Sequence, residues 1–296
     1  MALLPRAVLV TRPTELEELL VRHGTRSQAR FFLAGQGLDL GDVEERHALI
    51  QSAVAAVHAA IPLEWRRASV TRADLDRFLF GPEDLVVAVG QDGLVANVAK
   101  YLSGQLVIGV NPGLYEGVLV PHAPGNAREL MEAAVVGEGD VEERTLVEAV
   151  TPGGQRLRAL NEVFVGHRTH QSARYLIAVG DRRERQSSSG IIVTTGTGAT
   201  GWARSISRER SHSVELPEPS EKELVFFVRE AFPSPHTGVS LTEGSIGDRE
   251  TLEITSEMNV GGTAFGDGIE DDPLDFHFGQ KLIVRASPQA LRLFRG

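Results

Sequence analysis

The sequence predicts an α/β domain followed by an all-β domain. Three observations carry this: a strand-loop-helix-strand order from Asp84 to Val110 with continuously apolar strands, the scarcity of helical periodicity after about Pro121, and the run of short β-rich segments beyond it. Strands without polar alternation suit a sheet covered on both faces, and a β-loop-α-β order implies parallel pairing with a ligand crevice at the strands' carboxyl ends. Short strands separated by turn residues suit an all-β unit. The expected division is 1–121, a Rossmann-like nucleotide-binding domain, and 122–296, a β-rich domain.

Along the chain, Ala7 to Val10 reads as a strand and Glu15 to Arg22, with leucines at helical spacing, as a helix. Asp42 to Ala60 is the clearest helix: Asp42 is the expected cap, Glu44 and Glu45 suit its first turn, and Pro62 lies beyond its end. Asp84 to Val89 is a buried strand that meets Gly90-Gln91-Asp92-Gly93. Leu94 to Leu102 then reads as a helix and Leu106 to Val110 as a second buried strand, ending at Asn111-Pro112-Gly113. Arg128 to Ala134 is a junction helix. The later strands are Glu162 to Val165, Arg174 to Val179, Gly190 to Thr194, Leu224 to Val228, Thr251 to Thr255 and Lys281 to Val284. Asp181 to Ser189 and Ser211 to Lys222 are expected as polar loops.

At 296 residues, with 42% hydrophobic and 24% charged residues, the chain is globular and able to bury a sizeable core. A net charge of −10 lacks the basic patch of a nucleic-acid or anionic-membrane binder, so neither partner is expected. An anionic ligand would be held locally, by amides, a few arginines or a metal. The absence of cysteine excludes disulfides, thiolate catalysis and Cys-ligated zinc. No stretch approaches the ~20 apolar residues of a membrane span, and the amino terminus is too short and polar for a signal segment. The expected compartment is the cytoplasm.

Four segments offer chemistry. Gly90-Gln91-Asp92-Gly93 stands where a strand hands over to a helix, so free amides can face a phosphate while Asp92 supplies a carboxylate suited to Mg²⁺ or a hydroxyl hydrogen. An ordinary turn after a strand accounts for the segment as well. Asn161-Glu162 opens a strand with an amide beside a carboxylate, a pair able to donate and accept to ribose hydroxyls or a carboxamide. Val193 to Trp202 carries four threonines and three glycines, the build of a loop that grips a polar ligand or of a plain turn. Asp267-Gly268 with Glu270, Asp271 and Asp272 lacks the spacing of a calcium loop and reads as an acidic hairpin turn. His167 and His170 read as surface histidines without a third metal ligand.

In combination these segments are more specific. Gly-x-Asp-Gly after a strand, Gly109-Val110-Asn111, Leu160-Asn161-Glu162-Val163, Thr195-Gly196-Thr197-Gly198 and Phe265-Gly266-Asp267-Gly268 occur in an order that resembles the NAD kinase family. The mitochondrial type is the most similar, through Ser189-Gly190, the run Thr195 to Trp202 and the pair Arg229-Glu230. The resemblance spans Asp84 to the carboxyl terminus; earlier residues match in predicted topology alone. It implies an α/β domain followed by a β-sandwich, as in NAD kinases and diacylglycerol kinases, with the last residues packing back on the first domain.

The resemblance also implies transfer of the ATP γ-phosphate to the adenosine 2′-hydroxyl of NAD. Asp92 would activate that hydroxyl, acting largely by orientation and late proton acceptance, because an ordinary carboxylate is a weak base for a sugar hydroxyl. Gly90, Gln91 and Gly93 would form the phosphate loop. Asn161, Glu162, Thr195, Thr197, Gly198, Thr200 and Trp202 would bind NAD, with Trp202 an aromatic wall for a flat ring. Asn111, Ser189, Lys100 and Arg185 are secondary candidates, the last two for phosphates. Mg²⁺ would enter with ATP and no residue-built metal site is implied; zinc and haem are not expected. A homodimer or homotetramer is the implied assembly.

Two departures stand out. Gln91 replaces the family's second glycine and Leu94 the following threonine, so Gln91 is expected to intrude on the phosphate and strain its own φ. Ser189, a residue the mitochondrial type shares, stands where the larger branch carries Asp. The alternatives are a lipid or small-molecule kinase of the same superfamily, a kinase using polyphosphate, and an NAD(P)-binding protein without phosphoryl transfer.

Overall fold

The structure is a computed structural model that describes residues 4–114, 116–210 and 214–296. The chain divides into two compact units: Met1–Val98 with Leu102–Glu142 and Arg292–Gly296, and Ala99–Tyr101 with Glu143–Leu291. The first holds β1 (Arg6–Thr11), α1 (Glu15–His23), α2 (Arg26–Ala34), α3 (Leu40–Ala60), β2 (Arg66–Thr71), β3 (Asp84–Val89), α4 (Asp92–Ala99, whose last residue belongs to the second unit), β4 (Leu106–Val110) and α5 (Ala127–Val136).

Its strands pair in parallel in the order β2-β1-β3-β4. Every residue of β3 is buried, as its unbroken apolar run requires. Leu9, Val87, Val89, Ile108 and Val110 pack with Val57 of α3 and Met131 of α5 to form the core. Leu16, Leu19, Ala29, Leu33, Leu40 and Val43 close a second cluster among α1, α2 and α3. Each such aliphatic side chain contributes about 1.5–3 kcal/mol when fully buried. Arg292 and Leu293, near the end of the chain, pair in parallel with Leu106 and Val107.

Two helix starts differ from expectation. The cap of α3 is Asp39, in extended backbone with Oδ1 accepting the Gly41 amide at 2.8 Å. Asp42 instead lies in the first turn, where a carboxylate faces the positive end of the helix. Likewise α4 begins at Asp92 rather than Leu94, because the Gln91 carbonyl already accepts the Leu94 amide at 2.9 Å.

The second unit is a β-sandwich built from β5 (Val141–Val150, whose first two residues belong to the first unit), β6 (Arg156–Ala159), β7 (Glu162–His167), β8 (Ala173–Val179), β9 (Arg182–Ser188), β10 (Ile191–Thr194), α6 (Trp202–Glu209), β11 (Leu224–Val228), β12 (Glu243–Ile246), β13 (Leu252–Ser256), β14 (Gly262–Gly266), β15 (Ile269–Asp275) and β16 (Lys281–Phe294, whose last three residues belong to the first unit). One sheet runs β12-β11-β10-β7-β14-β15, entirely antiparallel; in the other, β16, β13, β8 and β9 are neighbours in that order and β5 pairs with β16 and β6. Val165, Val193 and Phe226 of the first meet Tyr175, Ile177, Ile254 and Val284 of the second in one buried cluster. Side chains from two inner faces thus fill a single core.

The polar loop expected over Asp181 to Ser189 is a strand. Arg182–Ser188 pairs residue for residue with Ala173–Val179, at the edge of its sheet. Its polarity follows from that edge position, since charged side chains guard an exposed strand, and only Gln186 and Ser188 turn inward to the Tyr175 hydroxyl. The expected loop over Ser211 to Lys222 contains no helix or strand from residue 214 onward, and residues 211–213 lie outside the described residues.

Candidate functional site

In the second unit, three sequence segments meet at one end of β7. Strand β7 pairs with β10 at Glu162 and Thr194 and with β14 at Val163 and Gly266. These pairings bring Asn161-Glu162, the threonine-rich run and the Asp267 turn together. The Asn161 carbonyl accepts the Thr195 amide at 2.9 Å and the Thr194 hydroxyl at 3.2 Å. The Thr195 hydroxyl donates to the Leu160 carbonyl at 2.5 Å and accepts from the amides of Thr197 and Gly198. Gly198 sits so close that a Cβ would come within 2.3 Å of the Asn161 oxygen, so no other residue fits. Thr197 accepts from Arg144 at 3.2 Å, and Thr200 donates to the Thr197 carbonyl at 3.3 Å. Most hydroxyls of the run therefore brace the loop. The half-buried Asn161 and Glu162 and the exposed Thr200 and Trp202 face outward.

Asp267 forms the hairpin turn between β14 and β15 and does more than turn the chain. Its φ of 52° is left-handed, which Asp tolerates better than most residues. Its carboxylate accepts the amides of Leu160 at 2.8 Å and Asn161 at 2.7 Å, and its own amide donates to the Glu162 carbonyl at 3.0 Å. Burial pushes its carboxyl up to about 6, opposed by those amides and by Lys100. Burial and the nearby Asp267 push Glu162 up to about 7. Lys100 is itself buried and ion-paired with Asp272 at 3.1 Å. Arg185, on β9, pairs with Glu257 at 2.8 Å.

The same unit contains a 590 Å³ cavity. Phe164, Phe265 and Trp202 line it, with Phe164 nearly parallel to Trp202 at 6.1 Å between centroids and tilted against Phe265 at 5.0 Å. The Arg229 guanidinium lies 4.8 Å from the Trp202 centroid, a cation–π contact. Part of the indole surface is thus already engaged by protein. Ser189, His167 and His170 also line the cavity. Among the described residues no group of three His, Cys, Asp or Glu is placed to hold a metal.

In the first unit, Asp92 opens α4 and its carboxylate accepts the amides of Val118 and Leu119, each at 2.9 Å. Two glycines make room: a Cβ on Gly109 would meet the Leu119 oxygen at 1.9 Å, and one on Gly117 the Asp92 Oδ1 at 2.5 Å. Asn111 closes a local turn by accepting the Gly113 amide at 2.9 Å. Gln91 is not strained: the described non-glycine residues with positive φ are Glu230 and Asp267. Its side chain, partly exposed, lines a separate 260 Å³ cavity with Gly90 and Arg12. The role of Asp267 was missed in sequence, although Asp-Gly after a strand is a left-handed turn signal. Phe164 reads there as an ordinary strand residue, and Phe265 enters only as part of the Phe265-Gly266-Asp267-Gly268 segment.

No family profile matches the chain. Similar proteins are an NAD kinase of Chlorobaculum tepidum, 27% identical over 71% of each chain, and the mitochondrial NAD kinase 2 of Rattus norvegicus, 40% identical over 26% of this chain and 21% of that one. A crystal structure of an NAD kinase from Archaeoglobus fulgidus in complex with ATP matches with a TM-score of 0.60 at 19% identity, covering 98% of this chain and 93% of that one. No helix among the described residues is long and apolar enough to cross a membrane.

Proposed function

We propose that this chain, related to the NAD kinases in sequence and fold, transfers the γ-phosphate of ATP to the adenosine 2′-hydroxyl of NAD, giving NADP and ADP. The new bond joins the 2′-oxygen to the γ-phosphorus, the bond from that phosphorus to the β-bridging oxygen breaks, and the hydroxyl proton leaves to a carboxylate. Asp92 is assigned to that hydroxyl. Anchored by the Val118 and Leu119 amides, it is an orienting acceptor that takes the proton late. Asn161 and Glu162 are assigned to NAD. A carboxyl near 7 is present in both protonation states at neutral pH, so Glu162 can donate to or accept from a ribose hydroxyl.

The observation that carries the proposal is the joining of Asn161-Glu162, Thr195–Gly198 and Asp267 at one end of β7, where the backbone leaves Asn161 and Glu162 presented and braced. Thr195, Thr197 and Gly198 are assigned as the frame of the NAD site and Thr200 and Trp202 as its outward surface. The donor phosphates would hold Mg²⁺, which would supply charge neutralisation there. A homo-oligomer in a cytoplasm accompanies the assignment, consistent with a chain without cysteine.

Incubating the purified chain with ATP, Mg²⁺ and NAD and measuring NADP⁺ tests this. NADP⁺ above a no-enzyme control, abolished in Asp92→Asn, is expected. Saturable NAD binding without turnover would replace the kinase with a dinucleotide-binding protein.

A further inference from the structure

We propose that Arg156, Arg158 and Arg285 form a binding site for a doubly charged phosphate group on the outer face of the sandwich sheet that contains β5, β6 and β16. The three arginines come from adjoining strands: β5 pairs with both β6 and β16, and Glu148 of β5 stands opposite Arg158. Val147, Ala149, Leu157, Ala159, Val284 and Ala286 turn into the core of the sandwich. Side chains alternate along a strand, so Glu148, Arg156, Arg158 and Arg285 share the opposite face.

On that face one carboxylate gathers three guanidinium groups. Glu148 Oε2 accepts from Arg285 Nη2 at 3.1 Å and Nε at 3.2 Å, while Arg156 lies 3.1 Å and Arg158 3.7 Å from Oε1. Glu148 is wholly buried, and among the described residues its Oε1 accepts no hydrogen bond. Charge alone therefore holds Arg156, and its N–H groups are left for another acceptor. Three positive charges against one negative leave a surplus of two within reach of a single carboxylate. Glu253, on the neighbouring strand β13, does not offset it, because Lys281 engages that carboxylate at 2.7 Å. Burial lowers the proton affinity of Arg158; Glu148 opposes this and Arg156 adds to it. One guanidinium is enough to pair a buried carboxylate, so the further two add repulsion that a bound anion relieves.

The cluster is open to solvent. The side chains of Arg156 and Arg285 are 46% and 44% exposed, and that of Arg158, at 13%, lies deeper between β5 and its neighbours. A terminal phosphate matches this arrangement: it carries close to two negative charges at neutral pH and three acceptor oxygens, which planar guanidinium forks meet in pairs. A carboxylate would neutralise half of the surplus. In a chain of net charge −10 no broad positive field draws anions, so selection happens at contact range. Inorganic phosphate and a nucleotide phosphomonoester share this chemistry.

The test is a binding measurement, independent of phosphoryl transfer. Calorimetric titration with inorganic phosphate, adenosine 2′-monophosphate and adenosine is carried out at constant ionic strength, with chloride as the balancing ion. Wild type, Arg156→Ala, Arg285→Ala and Arg183→Ala are compared, with a melting curve for each. Saturable phosphate binding and a melting temperature that rises with phosphate are expected for wild type. Arg156→Ala should weaken phosphate roughly tenfold, the scale of one hydrogen bond to a charged group, and Arg285→Ala at least as much. Arg183→Ala removes an exposed arginine from β9, at the far edge of the same sheet, and should leave the affinity unchanged. Where Arg285→Ala unfolds because Glu148 loses its two hydrogen bonds, Arg156→Ala, which removes none from Glu148, decides. Inorganic phosphate is the source if it binds as tightly as the nucleotide; the nucleotide is the source if it binds more tightly and loses that advantage in Arg156→Ala. A wild type without saturable phosphate binding overturns the proposal. So does a phosphate affinity unchanged in folded Arg156→Ala, or one reduced equally in Arg183→Ala.

Discussion

The carboxylate of Asp267 accepts the backbone amide of Asn161 at 2.7 Å, tying the β14–β15 turn to the residue that precedes β7. A second amide, that of Leu160, reaches the same carboxylate at 2.8 Å. Asp267→Asn keeps the left-handed backbone but turns one acceptor oxygen into a donor facing an N–H. The expected loss is about 1–3 kcal/mol of stability, read from urea denaturation, with a weaker NAD affinity as Asn161 is freed.

Glu162 and Asp267 make stability depend on pH. Both hold protons in the folded chain to higher pH, about 7 and about 6, than carboxyls near 4 do when unfolded. Between pH 4 and 7 the folded state therefore binds more protons, and stability falls as pH rises through that window. Glu162→Gln should flatten the upper part of the slope. Denaturation midpoints at pH 5 and pH 8 for both proteins measure it; an equal difference in each would refute the assignment.

Asp92→Asn is expected to lower kcat by roughly 10²–10⁴, the range for a positioned proton acceptor. The KM for NAD should change much less. Steady-state NADP⁺ formation gives both constants, and a preserved melting temperature would show that the Val118 and Leu119 contacts survive.

Gly198→Ala sets a methyl 2.3 Å from the Asn161 carbonyl oxygen and 2.5 Å from the Thr194 hydroxyl. Backbone cannot yield cheaply there, and a loss of about 1–3 kcal/mol is expected. Gly93→Ala, where nothing lies within 4 Å, should change stability by less than about 1 kcal/mol. Chemical denaturation of the two variants side by side makes the comparison.

Trp202→Ala removes the surface shared with Phe164 and Arg229. A rise in the NAD dissociation constant of roughly two- to tenfold is expected, the scale of one aromatic contact. Fluorescence or calorimetric titration reads it, and unchanged affinity would remove Trp202 from the NAD site.

Much of the frame is visible in local sequence, because it depends on local chemistry. The run Asp84 to Val89 has no polar residue to turn outward after its first, so it can only be a strand covered on both faces, and it is. Helix α5 and strands β4, β7, β8, β10, β11 and β13 lie within a residue or two of where periodicity and turn residues set them. Long-range pairing decided the rest. Arg182–Ser188 has no strand-like composition and becomes one only because β8 offers it a partner along its whole length. The fate of the threonine hydroxyls was also a tertiary matter: Leu160 and Asn161, over thirty residues away, present the carbonyls that Thr194 and Thr195 meet.

By itself, then, the sequence determined the two kinds of architecture and the chemistry carried by each loop, since apolar periodicity and residue type are properties of short segments. Only the tertiary structure decided what that chemistry faces. It converted the acidic turn at Asp267 into the buried brace of Asn161, and it gave Gln91 an unstrained backbone beside Arg12. Burial and strand register, which raise a carboxyl's proton affinity and bring distant side chains within reach, do not exist until the sheets have formed.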